Sequence, residues 1–378
     1  MIERRAPRIF ISAGEPSGDL HAAAVVGALR ARYPDASIEA LGGPRMEQAG
    51  ATLRYHMEGL AAFGVVEVVT KIRAHYRLLR AMREDFRSGR YDLAILVDYP
   101  GFHLRVAEAA HAAGTKVLYY IAPQLWAWRP GRARRLAAAV DRLAVVLPFE
   151  KTFFGELGLR SEYVGHPLVD GKTWPTREQA RAQLGVANGN RVLGIFPGSR
   201  AQEIRRLWEP FRDAALQLLA EGRCDRILVA GTETGVYPDP GPIQILRGNA
   251  VPLFAAADAA LAKSGTTTLE AALAGTPMVV AYKVHPLSWA VFQRVRTVRW
   301  VSLVNLVAGR EIVPEILQER AVAPELAAAL RPLLDRSDPR TLAQREGLAL
   351  VRERLGQPGA ANRVVDLAGE LLDPCGCG

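Results

Sequence analysis

Short apolar runs alternate with longer segments of helical period along nearly the whole chain. Arg8–Ala13, Ser37–Leu41, Leu93–Val97, Lys116–Ile121, Arg142–Leu147 and Ser161–Val164 have the length and composition of buried strands. Helical spacing follows several of them, as from about Leu20 to Arg32. The second half repeats the pattern. Val192–Phe196, Arg226–Ala230, Gln244–Leu246, a short run from Ala259 up to the turn at Lys263, and Met278–Tyr282 read as strands. Ala201–Ala220, Val251–Ala256, Pro324–Leu334, Thr341–Arg354 and Asn362–Leu372 read as helices. Such alternation predicts α/β architecture, here two successive doubly wound, Rossmann-like halves. The polar stretch Gly171–Arg191, with its Pro, Gly and Asn clusters, reads as a linker with one short helix. The expected divisions are residues 1–170, 171–355 and a C-terminal helix and tail, 356–378. Ligands in these folds lie outside the carboxyl ends of the strands, so two facing halves would form a cleft.

The turns at those strand ends carry the candidate chemistry. Lys263-Ser264-Gly265 leads from a strand into a helix opened by Thr266–Thr268 and ended by Gly275-Thr276-Pro277. Free N–H groups at such a helix start, with nearby hydroxyls, suit an anion. Glu270, inside the first turns, suits the vicinal hydroxyls of a ribose. The same stretch also fits an ordinary βαβ unit with a Thr-capped helix. Gly198-Ser199-Arg200 is a second such turn with a guanidinium built in, a planar fork matched to phosphate oxygens. Gly14–Asp19 lacks dinucleotide-fingerprint spacing, and Glu15 and Asp19 would repel a pyrophosphate. That loop suits sugar hydroxyls, or is a capped turn. Asp98 ends a strongly apolar strand, where it reads as a general base or as a turn residue, with His103 in the same loop. Trp126 and Trp128 would stack on a sugar or cover the sheet edge.

Composition narrows the picture only partly. The 378 residues are 49% hydrophobic and 23% charged, as in a globular protein of about two domains. A net charge of +9 favours anionic partners, whether nucleic acid, phosphorylated small molecules or an anionic membrane. Cys224, Cys375 and Cys377 make no disulfide framework, which fits a reducing compartment, and no leader or membrane-spanning run is apparent. The expected location is therefore the cytoplasm. No histidine or cysteine spacing suggests a metal site. In Met57–Met82, Val65, Val68, Val69, Ile72, Tyr76 and Leu79 recur at helical spacing, with Leu60, Phe63 and Val66 nearby. Arg73, Arg77 and Arg80 share another face, joined by Lys71, Arg83 and Arg87. This fits a helix lying on an anionic membrane, or an amphipathic core helix with a solvated basic side.

Nine blocks, in order, add up to a family. They are ISAGEPSGDLHAA (Ile11–Ala23), GGPRM (Gly42–Met46), FGVVEV (Phe63–Val68), PQLWAW (Pro123–Trp128), LPFEKTFF (Leu147–Phe154), VGHPL (Val164–Leu168), FPGSRAQEI (Phe196–Ile204), KSGTTTLEAALAGTPMVVAYK (Lys263–Lys283) and VSLVNLVAGREIVPE (Val301–Glu315). The chain resembles the lipid-A-disaccharide synthase family. That resemblance implies an inverting, UDP-sugar-dependent glycosyltransferase of GT-B fold, with the active site between two Rossmann-like domains. It implies UDP-2,3-diacylglucosamine as donor and 2,3-diacylglucosamine 1-phosphate, lipid X, as acceptor. The products are the β-1′,6-linked disaccharide 1-phosphate and UDP. By matching motif, Asp98 is the base on the acceptor 6-hydroxyl. Arg200, Glu270 and Asn305 contact UDP, with Gly198, Ser199, Ser264, Gly265 and Thr266 around the phosphates. Glu15 and His103 lie on the acceptor side. No metal or other cofactor is implied, and no nucleic acid. The resemblance further implies a peripheral protein on the inner face of the inner membrane, touching anionic lipid through the N-terminal domain, and a homodimer that exchanges C-terminal segments. The chain departs from the family at Gly101, where a second Asp is common, and at Ala122-Pro123-Gln124. Rival readings are another GT-B enzyme on a UDP-GlcNAc-type sugar, such as a UDP-GlcNAc 2-epimerase, and a noncatalytic nucleotide-sugar binder.

Overall fold

Among the described residues, thirteen strands fall into two parallel sheets, each buried by helices. The structure, a computed structural model, describes residues 5–58, 65–128, 130–170 and 173–373, and the side chains of all of these except 65–72, 128 and 130–132. Leu60, Phe63 and the Cys375–Cys377 tail lie outside the described residues, as do the side chains of Val65, Val66, Val68, Val69, Lys71, Ile72, Trp128 and Arg132.

The first sheet contains β1 (Arg8–Ala13), β2 (Ser37–Gly42), β3 (Thr52–His56), β4 (Leu93–Val97), β5 (Lys116–Tyr120), β6 (Arg142–Val145) and β7 (Ser161–Tyr163), in the order β3-β2-β1-β4-β5-β6-β7. The second contains β8 (Val192–Phe196), β9 (Arg226–Gly231), β10 (Gln244–Arg247), β11 (Ala259–Lys263), β12 (Met278–Tyr282) and β13 (Glu315–Leu317), in the order β10-β9-β8-β11-β12-β13. Each order reverses once, between β1 and β4 and between β8 and β11. These are the switch points at which helices leave opposite faces and a crevice opens. β4 and β8 are buried at every position, because parallel strands are covered on both faces.

The helix Ala201–Ala220 shows how sequence becomes packing. Ile204, Leu207, Trp208, Phe211, Ala215 and Leu218 recur three or four residues apart and are all buried against β8, β9 and β11. One expected helix, Pro324–Leu334, ends at Leu330 and continues as a 3-10 turn, Arg331–Leu334, because Pro332 supplies no N–H to extend the ladder. The alternation did not reveal β3, β13 or the helix Pro286–Val295. The two strands are sheet edges, short or half exposed, and the helix buries nothing.

The chain forms two compact units, Met1–Asp170 with Gln357–Gly378, and Gly171–Gly356. The C-terminal helix Ala360–Leu372 returns to the first unit. Asp170 accepts from the Gly359 and Ala360 N–H groups at 2.7 and 2.9 Å, capping that helix. Arg363 donates to the Val164 carbonyl at 2.7 Å, and Arg32 and Arg142 pair with Asp366 and Glu370. In the second unit, the buried carboxylate of Asp258 joins the helix Arg177–Gln183 to the start of β11 through Arg177 and Arg181.

Candidate functional site

In the first unit the β1 and β4 ends meet at the switch point. Asp98 and Tyr99, between β4 and the helix Pro100–Ala112, have φ of +52° and +54°. Two successive non-glycine residues in the left-handed region are strained, at roughly 1–3 kcal/mol each, and persist only where their surroundings hold them. The holding groups are visible. The Asp98 carbonyl accepts from His103 Nδ1 at 2.6 Å and from the Tyr119 hydroxyl at 2.7 Å. A carbonyl only accepts, so Nδ1 carries the proton. Nε2 is then an acceptor, and the Ser12 hydroxyl donates to it at 2.7 Å. Burial depresses the His103 pKa to about 4, which keeps the ring neutral and this tautomer in place.

The Asp98 side chain is half-buried beside this clamp. Burial raises its pKa, the Tyr99 backbone N–H lowers it, and the charge of Glu15 on the β1 turn raises it again. Tyr99 lies against that turn: a Cβ on Gly14 would come within 2.3 Å of its ring, so only glycine fits there. The Tyr99 hydroxyl pairs with His75 Nε2 at 2.7 Å.

Several expected placements read differently in the structure. His103 is fully buried with both ring nitrogens occupied, so it works from behind the loop and not at a ligand. Asp19 lies in a helix that begins at Pro16, earlier than expected. Its carboxylate accepts from the N–H groups of Gly43, Arg45 and Met46, capping the helix Pro44–Gln48. Trp126 is buried and donates to Glu150 at 2.9 Å, so this indole is not offered to a sugar. Glu150 also accepts from the Val146 and Leu147 N–H groups. Burial pushes the Glu150 carboxyl up to about 7, despite these donors. Its protonated form therefore adds stability that is complete below about pH 4.5 and lost as the pH rises through about 7. Glu150→Gln is expected to flatten this loss, measured as a smaller fall in thermal midpoint between about pH 5 and about pH 8 than in wild type.

In the second unit the β8 and β11 turns lie side by side at the other switch point. Gly198 has φ of +112°, and a Cβ there would meet the Glu203 carboxylate at 2.5 Å. Glu203 accepts from the Ser199 and Arg200 N–H groups at 3.2 and 3.3 Å and pairs with Lys263 Nζ at 2.9 Å. One carboxylate thus caps the first turn and ties it to the second. Burial raises the Glu203 pKa, but Lys263 outweighs it and holds the group ionised. The Arg200 side chain is 76% exposed and lies 3.5 Å from Glu203. So exposed a guanidinium has room to turn toward an anion.

Gly265, at φ +152°, precedes the helix Thr266–Ala274, which has no side-chain cap at its start. Its N-terminal N–H groups are placed to meet a negative charge. Thr266 is exposed, and Glu270 lies one turn further on the same face. Ser264 is buried, and its hydroxyl donates to the Val301 carbonyl at 2.8 Å. Asn305 is fully buried. Its amide NH2 donates to the Val313 carbonyl and to Glu315, and its oxygen accepts from the Ile312 and Val313 N–H groups. Every hydrogen-bonding position of that side chain is used, so it shapes the 302–315 segment. Glu203 and Lys263 were not singled out from sequence. A Glu at the third position of a helix can reach back to the N–H groups before it, and that placement of Glu203 could have found the first. Lys263 is legible only as the lone charge ending an apolar strand. Among the described residues, no cluster of His, Cys, Asp or Glu could hold a metal ion.

Comparison with known proteins supplies the last observations. The matching family is described as lipid-A-disaccharide synthetase and covers residues 9–357. A lipid-A-disaccharide synthase of Geobacter sulfurreducens is 39% identical over 98% of this chain and 99% of its own. One of Myxococcus xanthus is 39% identical over 97% and 98%. Among solved structures, the UDP-GlcNAc 2-epimerase of Neisseria meningitidis bound to UDP-GlcNAc aligns with a TM-score of 0.65 at 11% identity, over 96% of this chain and all of that one. A calicheamicin glycosyltransferase aligns with a TM-score of 0.60 at 16% identity, over 98% and 100%. Those identities speak to the fold, which is GT-B.

Proposed function

This chain belongs to the lipid-A-disaccharide synthase family and is a glycosyltransferase, and from that premise we propose that it transfers 2,3-diacylglucosamine from UDP-2,3-diacylglucosamine to lipid X with inversion. The observation that carries the chemistry is Asp98, a carboxylate on a strained backbone at a switch point, with a raised pKa. In the reaction, Asp98 takes the proton of the acceptor 6-hydroxyl as that oxygen bonds to the donor anomeric carbon. The bond from that carbon to UDP breaks, and UDP leaves with the electron pair. Charge grows on the departing diphosphate, where Arg200 and the start of the Thr266–Ala274 helix stabilise it. Glu270 holds the ribose hydroxyls. Burial, with the Glu15 charge adding to it, keeps the Asp98 pKa raised, and Glu15 faces the acceptor. Gly198, Ser199, Ser264 and Gly265 keep the two turns in shape, and Asn305 shapes the 302–315 segment, which follows the Val301 carbonyl that Ser264 meets.

Family membership also supports a peripheral role on the cytoplasmic face of the inner membrane and a homodimer that exchanges C-terminal segments. No described helix is long and apolar enough to cross a membrane. Arg73, Arg77, Arg80, Arg83 and Arg87 of the helix Val65–Arg87 are exposed, and Leu79, Met82 and Phe86 are buried. The C-terminal half of that helix therefore packs on its own unit and offers a basic side to anionic lipid.

The test is incubation with UDP-2,3-diacylglucosamine and lipid X, with and without chelator, followed by mass analysis. Disaccharide 1-phosphate and UDP in both arms support the reading. Loss with chelator overturns metal independence, and an epimerised UDP-sugar without disaccharide overturns the transfer. Arg200→Ala and Glu270→Ala are each expected to weaken UDP binding roughly 10- to 100-fold in calorimetric titration, the scale of one charged hydrogen bond.

A further inference from the structure

The helix Pro286–Val295 leaves the carboxyl end of β12, the strand beside β11, and buries none of its residues. Leu287, Val291 and Val295 recur every four residues and so share a face, and they are 73%, 61% and 41% exposed. Trp289 and Phe292 are half-buried and stack on each other, with ring centroids 5.4 Å apart. A helix of 10 residues is too short to be stable alone in water, and this one gains little from its own unit. Its apolar face calls for a partner.

Charge selects which partner. From Lys283 to Arg310 the chain has no Asp or Glu, and it carries Lys283, Arg294, Arg296, Arg299 and Arg310. Arg294, Arg296 and Arg299 are exposed, and the Arg299 guanidinium lies 5.4 Å from the centre of the Trp300 ring. A second copy meeting this face would bring its own arginines against these. An anionic bilayer offers both an apolar layer for the aliphatic row and negative headgroups for the cations.

We propose that Pro286–Val295, with the arginines that follow it, is a lipid-docking helix of the second unit that seats Leu287, Val291 and Val295 in the headgroup boundary of an anionic membrane. It belongs to the second unit, whereas the basic side of Val65–Arg87 belongs to the first, and it needs no substrate. Its attachment to β12 sets the lipid at the same end of the sheet as the Ser264–Thr266 turn, the end at which a lipid-linked sugar would be handled.

The experiment is co-sedimentation of the full chain with vesicles of phosphatidylcholine alone or mixed with phosphatidylglycerol, without substrate. Wild type is expected to sediment with the anionic vesicles and to be released by salt. Leu287→Ser with Val291→Ser is expected to lower vesicle affinity about tenfold or more. Arg294→Gln with Arg296→Gln and Arg299→Gln is expected to remove most of the salt dependence. These side chains are exposed, so an unchanged thermal midpoint checks that each variant is folded. Undiminished binding by the folded Leu287→Ser, Val291→Ser variant overturns the proposal. So does a loss seen only in Arg77→Glu with Arg80→Glu on the first unit. A vesicle-free shift of that aliphatic variant from dimer to monomer in analytical ultracentrifugation also overturns it, because a second copy would then cover the face.

Discussion

Asp98→Asn is expected to lower turnover by roughly 10²–10⁴-fold while leaving UDP binding near the wild-type value. The substitution keeps the size of the side chain and an αL-tolerant residue, so the left-handed backbone at φ +52° remains available. What it removes is the group that accepts the acceptor proton. Single-turnover kinetics beside calorimetric titration with UDP separate the two effects. A variant that turns over at the wild-type rate sinks the base assignment. The pH profile gives a second readout. A base must be ionised, so activity falls as the pH drops through the Asp98 pKa, which burial and Glu15 raise above the ordinary aspartate value. Glu15→Gln removes a neighbouring negative charge, so the acid limb should move to lower pH. A limb that stays in place would mean that another group titrates.

Asp258→Ala is expected to destabilise the second unit by about 3–5 kcal/mol, the cost of leaving buried charge without its partner. The Asp258 carboxylate is 2% exposed and accepts from Arg177, Arg181 and Arg336 at 2.6, 2.9 and 2.9 Å, and from the Val192 N–H at 2.8 Å. Arg181 is only 1% exposed and cannot turn to water when the carboxylate is gone. Even with it, burial holds the Arg177 pKa down at about 10, with Asp258 opposing and Arg181 and Arg336 adding to the effect. Asp258→Asn keeps the acceptor toward Val192 and should cost less than the alanine variant. Denaturant midpoints of both variants, read with their slopes, test this. A change below about 1 kcal/mol for alanine would show that the arginines find other partners.

The strands that carry the sites were legible because a parallel strand covered on both faces must be apolar throughout. β1, β4, β8 and β12 run as the apolar runs indicated. The turns after them were legible for a related reason, since Gly and Pro break the pattern where the chain reverses. Asp98, Arg200 and Glu270 could thus be placed at strand ends or helix starts from sequence. Edge strands such as β3, exposed at every second residue, follow no such rule, and neither does a helix like Pro286–Val295 that packs on little.

Which way a side chain faces within a turn was a different matter. His103 and Asn305 stand beside their motifs in sequence, yet both point inward and are saturated with hydrogen bonds. The groups that saturate His103 include Ser12, 91 residues away, and Glu203 meets Lys263 from another strand–helix unit. Local pattern specifies period and chain reversal, because those follow from neighbours within a few residues. It cannot specify which distant carbonyl, hydroxyl or carboxylate a polar side chain will meet in the folded sheet. The sequence by itself determined two doubly wound halves and the positions of their loops. Tertiary structure alone decided which loop residues face a ligand and which hold the loop from within, because a buried polar group must find its partner wherever the packed strands bring one.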